Sequence, residues 1–397
     1  CLNQLILYLQ KAKLIRITTV PMALAYPLKG QCSYMHENGF YVIMASADEK
    51  ELSTLLKNEI CPHVVVPMTR SITPFGDLIC LYKLVKLFTR EKPEIVHSET
   101  PKAGLLGMMA AKMARVPIRI HTVAGMPLMV ATGAKLKLLK FIERFTYSCA
   151  TNVWPNSESL KSFILENNFT KSEKLEVIGK GSSNGIDLAK FNKTLLRNNA
   201  LEEIKKNIAY DKNCKYLLFV GRIVKDKGIS ELVNTFNQLL KKDPSLKLVL
   251  VGQFEKQLDP LSPAIEKEIT HNNSIIHIYW SGRVEYYMSL ADFFVFPSYR
   301  EGFPNVLLEA GAMKLPIICS NIGGNIDIVK HKETGLLFDT YNEADMQEKL
   351  AWALQNKEEM MKMSESLYHT VSTEYNREKF WAQMNLQYKK LIKENNL

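Results

Sequence analysis

Two short stretches of this 397-residue chain place charged side chains beside the loop and helix signals that present them to a phosphate. In the first, Gly221-Arg222 directly follows the apolar run Tyr216–Val220, and Lys227-Gly228 comes six residues on, with a helix expected to open near Ser230. Arg222 offers a planar fork of donors and Lys227 a compact charge. At a strand's carboxyl end beside a helix N-terminus, the two suit a diphosphate. Taken singly, cations of this kind are as ordinary in a solvated loop.

The second stretch runs from Pro297 to Glu309 and follows the apolar run Phe293–Phe296. Pro304 is acceptable at the first helical position, where its missing amide would be unpaired anyway. A helix is therefore expected to start close to Phe303–Asn305, with free amides near Asn305 and Val306 able to hold an anion without any side chain. Glu309 then lies about 6 Å further along the axis, at about 1.5 Å per residue, roughly the offset between a phosphate and its ribose. Glu301 precedes the helix and is expected to project from the loop, where it can accept from hydroxyls beyond the phosphates. The plainer alternative makes Glu301 a helix cap and Glu309 a surface carboxylate.

Strands and helices must position these residues. Short β-branched runs alternate with helical spacing throughout: Leu14–Val20, Phe40–Ala45, His63–Pro67, Glu94–His97, Ile118–Val123 and Asn152–Trp154, then Tyr216–Val220, Leu246–Val251, Ile275–Tyr279, Phe293–Phe296 and Ile317–Cys319. Stretches such as Leu78–Arg90 and Glu231–Lys242 carry helical apolar spacing. This order predicts an α/β protein with two doubly wound domains, whose ligands bind at the carboxyl ends of the strands. The boundary is expected at the glycine-rich Gly179–Gly185, giving domains 1–185 and 186–375, with a last helix, 376–397, that can pack back on the first domain. The G-x-G within that stretch is not a dinucleotide fingerprint: Asn184 takes the third glycine's place, and no strand-turn-helix context follows.

Taken together, the motifs resemble family 4 of the retaining glycosyltransferases. The resemblance rests on Glu301-x7-Glu309, on Gly221-Arg222…Lys227-Gly228, on Gly323-Gly324-Asn325-Ile326-Asp327-Ile328-Val329 and on Thr334-Gly335-Leu336-Leu337-Phe338. Leu28-Lys29-Gly30-Gln31, Thr100-Pro101-Lys102-Ala103-Gly104-Leu105-Leu106-Gly107 and Asn184-Gly185-Ile186-Asp187…Phe191 look like the branch that builds bacterial surface and capsular polysaccharides. The resemblance implies a GT-B fold, two Rossmann-like domains facing across a cleft, with the donor held by the second and the acceptor by the first.

It also implies roles. Arg222 and Lys227 would neutralise the diphosphate, with Gly221 beside them in the donor site, and Glu309 would hold the ribose. Glu301, with Gly302, Phe303, Asn305 and Val306, would hold the donor sugar and distal phosphate, and Arg283 and Val284, after Gly282, would line the base. Glu301, Arg222 and Lys227 carry the catalysis in this reading. On the acceptor side it points to Thr100, Lys102, His121, Ala124 and Gly125. Three departures stand out: Ala124 occupies the place of a histidine that touches the donor sugar, with His121 and His97 as nearby alternatives; Pro21-Met22-Ala23-Leu24 replaces a glycine-rich turn; and Asp327 replaces a glutamate. The implied activity is transfer of a hexose or N-acetylhexosamine from a nucleotide diphosphate sugar, UDP-linked in the favoured reading, to a glycan or polyprenyl-diphosphate-linked sugar. A nucleotide-sugar epimerase or a non-catalytic nucleotide-sugar-binding subunit would share the architecture.

No Asp-x-Asp occurs, so the expectation is a metal-independent enzyme without a cofactor, its positive field supplied by Arg222, Lys227 and the helix N-terminus. The composition, 46% hydrophobic and 23% charged, excludes disorder, collagen and a disulfide mini-scaffold. Seven scattered cysteines without a CxxC fit neither a zinc cage nor a disulfide framework, which points to a reduced, cytoplasmic setting. The start at Cys1 lacks the order of a signal peptide, and a truncated N-terminus fits equally.

The net charge of +10 is uneven: residues 1–190 carry 24 Lys+Arg against 15 Asp+Glu, and residues 191–397 carry 27 against 26. An anionic partner for the first half is expected. Thr132–Ser148, with Lys135, Lys137, Lys140 and Arg144 among Leu136, Leu138, Leu139, Phe141, Ile142 and Phe145, reads either as a basic amphipathic helix at the inner membrane face or as a core-packing helix. No motif supports nucleic-acid binding.

Overall fold

The computed structural model describes residues 11–255 and 259–397. Among these described residues, twelve strands form two all-parallel sheets. The first contains β1 (Ala12–Ile17), β2 (Phe40–Ser46), β3 (His63–Val65), β4 (Ile95–Ser98), β5 (Ile118–Val123) and β6 (Asn152–Pro155), in the order β3-β2-β1-β4-β5-β6. The second contains β7 (Lys215–Val220), β8 (Leu246–Val251), β9 (Ile275–Ile278), β10 (Phe293–Phe296), β11 (Ile317–Ser320) and β12 (Leu336–Phe338), in the order β12-β11-β10-β7-β8-β9. Each sheet reverses its strand order once, between β1 and β4 and between β7 and β10. The α/β doubly wound expectation holds for both.

Parallel strands covered on both faces read as continuous apolar runs, and β10 is buried at all four positions. The chain divides into two compact units, one running up to Gly185 and including Arg377–Leu397, the other Ile186–Asn376. In the first unit the two-residue period of β1 sorts its side chains. Ile15 and Ile17 pack with Leu84, Phe88 and Leu106 on one face, while Leu14 packs with Phe40, Trp154, Met384 and Tyr388 on the other. Met384 and Tyr388 belong to the last helix, Arg377–Glu394, which thus covers one face of the first sheet.

Strand limits differ from the sequence reading by at most three residues, and Ile118–Val123, Leu246–Val251 and Phe293–Phe296 coincide with it. Leu336–Phe338, read only as part of a motif, is a three-residue strand on β11. Among the described residues the six cysteines Cys32, Cys61, Cys80, Cys149, Cys214 and Cys319 are all free thiols; Cys1 lies outside them.

Candidate functional site

At the strand-order reversal of the second sheet, the loops after β7 and β10 meet. Lys227 Nζ donates to a Glu301 carboxylate oxygen and, at 3.4 Å, to the Ser298 hydroxyl, and lies 5.8 Å from the Phe296 ring centroid. Both charged side chains are mostly buried, at 13% and 15% exposure. A second bridge runs beside the first: Arg300 Nη2 donates to Asp226 at 2.7 Å, and the Tyr299 amide donates to the Asp226 carbonyl at 2.9 Å. The backbone makes this meeting possible. Gly228 has φ +66°, and a Cβ there would lie 2.2 Å from the Pro297 carbonyl oxygen, so only glycine lets the two loops touch.

The helix expected near Phe303–Asn305 runs over Asn305–Ala312. Pro304 is its N-cap, with φ −81° and ψ +96°, rather than its first helical residue. Pro304 offers no side-chain cap, and Glu301 is engaged with Lys227. Phe303 is buried and its ring centroid lies 5.6 Å from that of Tyr375, which fixes the entry into the helix. Half-buried Glu309 follows one turn in. Gly324 comes so close to the Glu301-Gly302 backbone that a Cβ would meet the Gly302 carbonyl oxygen at 2.8 Å.

Other residues named from the sequence are held elsewhere. Gly221 ends the β7 segment with its amide on the Val251 carbonyl, and Arg222 pairs with Glu255 at 2.7 Å while remaining 44% exposed. Arg283 makes a two-pronged bridge to Glu203, at 2.8 and 2.9 Å. That bridge holds Glu203 below the usual carboxylate range, through the hydrogen bonds first and the guanidinium charge second. Val284 begins the helix Val284–Leu290 and packs against the core of its unit. The described contacts therefore join Lys227, Glu301 and Ser298 directly and leave Arg222, Arg283 and Val284 with other partners.

The first sheet has its own reversal, and beside it lies a cavity of about 210 Å³. Glu99, Thr100, His121, Ala124, Gly125 and Glu143 are among its walls. Four of the five acceptor-side residues named from the sequence thus line one pocket. Lys102 does not: its ammonium donates to Asp77 at 2.6 Å. Of the two histidines, His121 forms part of the wall and is held neutral, its pKa lowered to about 4 by burial, partly offset by a hydrogen bond at Ser98. His97 is buried behind the pocket, bonded to the Tyr388 hydroxyl and to Thr122 at 2.7 Å, with its pKa well below the ordinary value through burial and the nearby Arg16 charge.

Sequence reasoning missed what supports this pocket. Glu99 accepts from the fully buried Arg16, whose Nη1 also donates to the Tyr388 hydroxyl at 3.2 Å. Burial raises the Glu99 pKa and Arg16 pulls it back only in part. Glu143, a second carboxyl on the wall, is likewise raised by burial. Both are acids immediately after a strand or within a helix read for its cations, and nothing local in the sequence marks them.

Comparison with known proteins gives consistent likenesses. Residues 201–370 match the family described as "Glycosyl transferases group 1", and residues 33–181 match "Glycosyl transferase 4-like domain". The chain is 35% identical to the capsular polysaccharide biosynthesis glycosyltransferase CapM of Staphylococcus aureus over 388 residues, covering 97% of this chain and 99% of that one. It is 28% identical to the UDP-Gal:alpha-D-GlcNAc-diphosphoundecaprenol alpha-1,3-galactosyltransferase of Escherichia coli, over 76% of each. Among solved structures, a glycosyltransferase of Rickettsia africae ESF-5 superposes with a TM-score of 0.79 at 19% identity, covering 96% of this chain and 99% of that one. At that identity the likeness is one of fold.

Proposed function

We propose, from the premise that the chain belongs to the group 1 glycosyl transferases and has their GT-B fold, that it is a metal-independent, retaining hexosyltransferase of surface polysaccharide biosynthesis. It takes a nucleotide diphosphate sugar, UDP-linked in our reading, and passes the hexose or N-acetylhexosamine to a sugar carried on a polyprenyl diphosphate or growing glycan. The observation that carries this reading is the meeting of Lys227, Glu301 and the start of the Asn305–Ala312 helix at the strand-order reversal of the second sheet.

An ammonium has three donors. Glu301 and Ser298 take two of Lys227's, leaving the third for a phosphate oxygen. When the bond from the anomeric carbon to the diphosphate breaks, negative charge grows on the departing oxygens. A cation already held in place stabilises that charge without reorganising, as do the first amides of the helix. Glu301 accepts from sugar hydroxyls and Glu309 from the ribose. The acceptor hydroxyl oxygen forms the new bond, and its proton leaves with the diphosphate or solvent. In the first unit, the walls Glu99, His121 and Glu143 offer acceptors and neutral donors suited to the hydroxyls of a sugar.

The alternative of a binding subunit without turnover is motivated by Ala124, which lines the pocket where a histidine was expected. Incubation with a panel of UDP-, GDP- and ADP-sugars and a polyprenyl-diphosphate-linked sugar tests both. The expected outcome is a transferred sugar whose anomeric configuration, read by NMR, matches that of the donor; an inverted signal overturns the mechanism, and binding with neither transfer nor hydrolysis favours the subunit. Because Lys227 and the helix amides supply the positive field, turnover is expected to persist in excess EDTA. A loss restored by Mg²⁺ or Mn²⁺ would show that a metal carries part of the diphosphate charge.

A further inference from the structure

The helix Pro74–Glu91 has two apolar faces. Cys80, Leu84, Leu87 and Phe88 are buried. Phe75, Leu78, Ile79 and Tyr82, at the i, i+3, i+4, i+7 spacing of a single stripe, are exposed, and with Ile72 just ahead of the helix they range from 55% to 85% exposure. A solvated helix seldom presents such a contiguous row, which marks an interaction surface. Lys86 continues the same stripe one turn beyond Tyr82, and Lys83 and Arg70 flank it, all exposed. Asp77, at the foot of the helix, is neutralised by Lys102.

That surface is tied to the mouth of the pocket. Lys102 follows the wall residues Thr100 and Pro101, and its ammonium also reaches the Ser71 carbonyl and, at 3.3 Å, the Thr73 hydroxyl. Arg70 touches the Met22 sulfur at 3.7 Å, and Met22, 38% exposed, precedes the wall residue Ala23. Exposed Tyr26 precedes the wall residue Pro27. The helix that the sequence offered for a membrane is a different one. In Gly133–Cys149, Lys140 and Arg144 are bound to Asn167 at 3.1 and 3.2 Å, while Lys135, Lys137 and Arg144 are exposed beside Leu138, Phe141 and Phe145.

We propose that the Ile72–Tyr82 stripe, with Met22 and Tyr26, enters the headgroup boundary of an anionic bilayer and holds the pocket mouth at headgroup depth. No described helix is long and apolar enough to cross a membrane, so the association is one of surface insertion. Separate protruding side chains, rather than a groove, together with Arg70, Lys83 and Lys86 and the +9 of residues 1–190, fit anionic lipid. A sugar on a polyprenyl diphosphate would then meet the pocket without leaving its membrane. This purpose rests on the acceptor reading above; the surface itself does not.

The test is sedimentation of the full chain with vesicles of phosphatidylethanolamine and phosphatidylglycerol, against phosphatidylcholine alone. The wild type is expected to pellet with the anionic vesicles, and Phe75→Ser/Ile79→Ser to partition about tenfold or more weaker, since each exposed side chain loses its apolar burial. Its circular dichroism and its stabilisation by donor should match the wild type. Phe75→Trp emission should shift to the blue on adding anionic vesicles. Equal pelleting of wild type and double variant, or a wild-type dimer that the double variant dissociates, overturns the proposal, the latter by assigning the face to a second copy. A wild type that transfers to a short-chain water-soluble acceptor yet ignores vesicles overturns the surface alone. One that binds vesicles but transfers to no polyprenyl acceptor overturns the acceptor reading and leaves the surface standing.

Discussion

Lys227→Ala is expected to lower kcat by about 10²–10³ while the protein stays folded, because the lost charge is one that acts on the departing diphosphate. The structural reason to separate this from simple destabilisation is local. Lys227 is bonded to a single carboxylate and one hydroxyl at the rim of the second sheet, and its ammonium meets the core only across the face of Phe296, 5.8 Å from the ring centroid. Glu301, left without its partner, keeps 15% exposure and can take up water. A melting temperature within a few degrees of wild type, together with the kinetic loss, is the expected pair of results. Wild-type turnover would reduce the Lys227–Glu301 bridge to a loop fastener. Arg222→Ala, at a half-exposed residue paired to Glu255, should cost turnover in the same way and stability less.

The second large effect lies in the other unit and on stability. Arg16→Met removes the partner of a buried carboxylate, which typically costs about 3–5 kcal/mol because the remaining charge is left uncompensated. In a unit of this size that corresponds to a fall in melting temperature on the order of 10 °C. The pH dependence identifies the cause. Burial already raises the Glu99 pKa above its unfolded value, and the charge and hydrogen bond that pull it part of the way back both come from Arg16. A raised acid favours the fold only where it is protonated, so the deficit should be full at neutral pH. It should shrink as pH falls through the raised value and vanish below the ordinary glutamate range. A deficit independent of pH would mean that lost packing, not stranded charge, is responsible. Glu99→Gln in the Arg16→Met background should recover part of the loss at neutral pH.

The reach of sequence reasoning followed the distance over which each feature is encoded. Runs such as Phe293–Phe296 were legible because both faces of a parallel strand are buried. The loops that carry Lys227 and Glu301 were legible because each follows such a run, and doubly wound sheets in general bind ligands at strand ends beside an order reversal. Leu336–Phe338 escaped because three residues carry no period. Arg16 and Tyr388 escaped for another reason: they are 372 residues apart, and an arginine inside an apolar run declares neither its burial nor its partner. Periodicity marked the helix Pro74–Glu91 but not which of its faces is buried. Two apolar stripes share that helix, and spacing alone cannot say that Cys80 and Leu84 face the core while Phe75 and Tyr82 face outward. Arg283 shows the same limit at the site, since its bridge to Glu203 depends on a helix eighty residues upstream.

The last helix has a consequence for how the chain is made. Phe380, Met384, Tyr388 and Leu391 complete one face of the first sheet, yet they are synthesised only after the whole of Ile186–Asn376. At about 5–20 residues per second, those roughly 190 residues occupy the ribosome for about 10–40 s. Throughout that interval Phe40, Trp154 and the Arg16 guanidinium have no final covering. The second unit, contiguous in sequence, can close as soon as it emerges. The unit that begins first is therefore the one that finishes last, and nascent chains stalled before residue 377 should be held by chaperones at the first sheet rather than at the second.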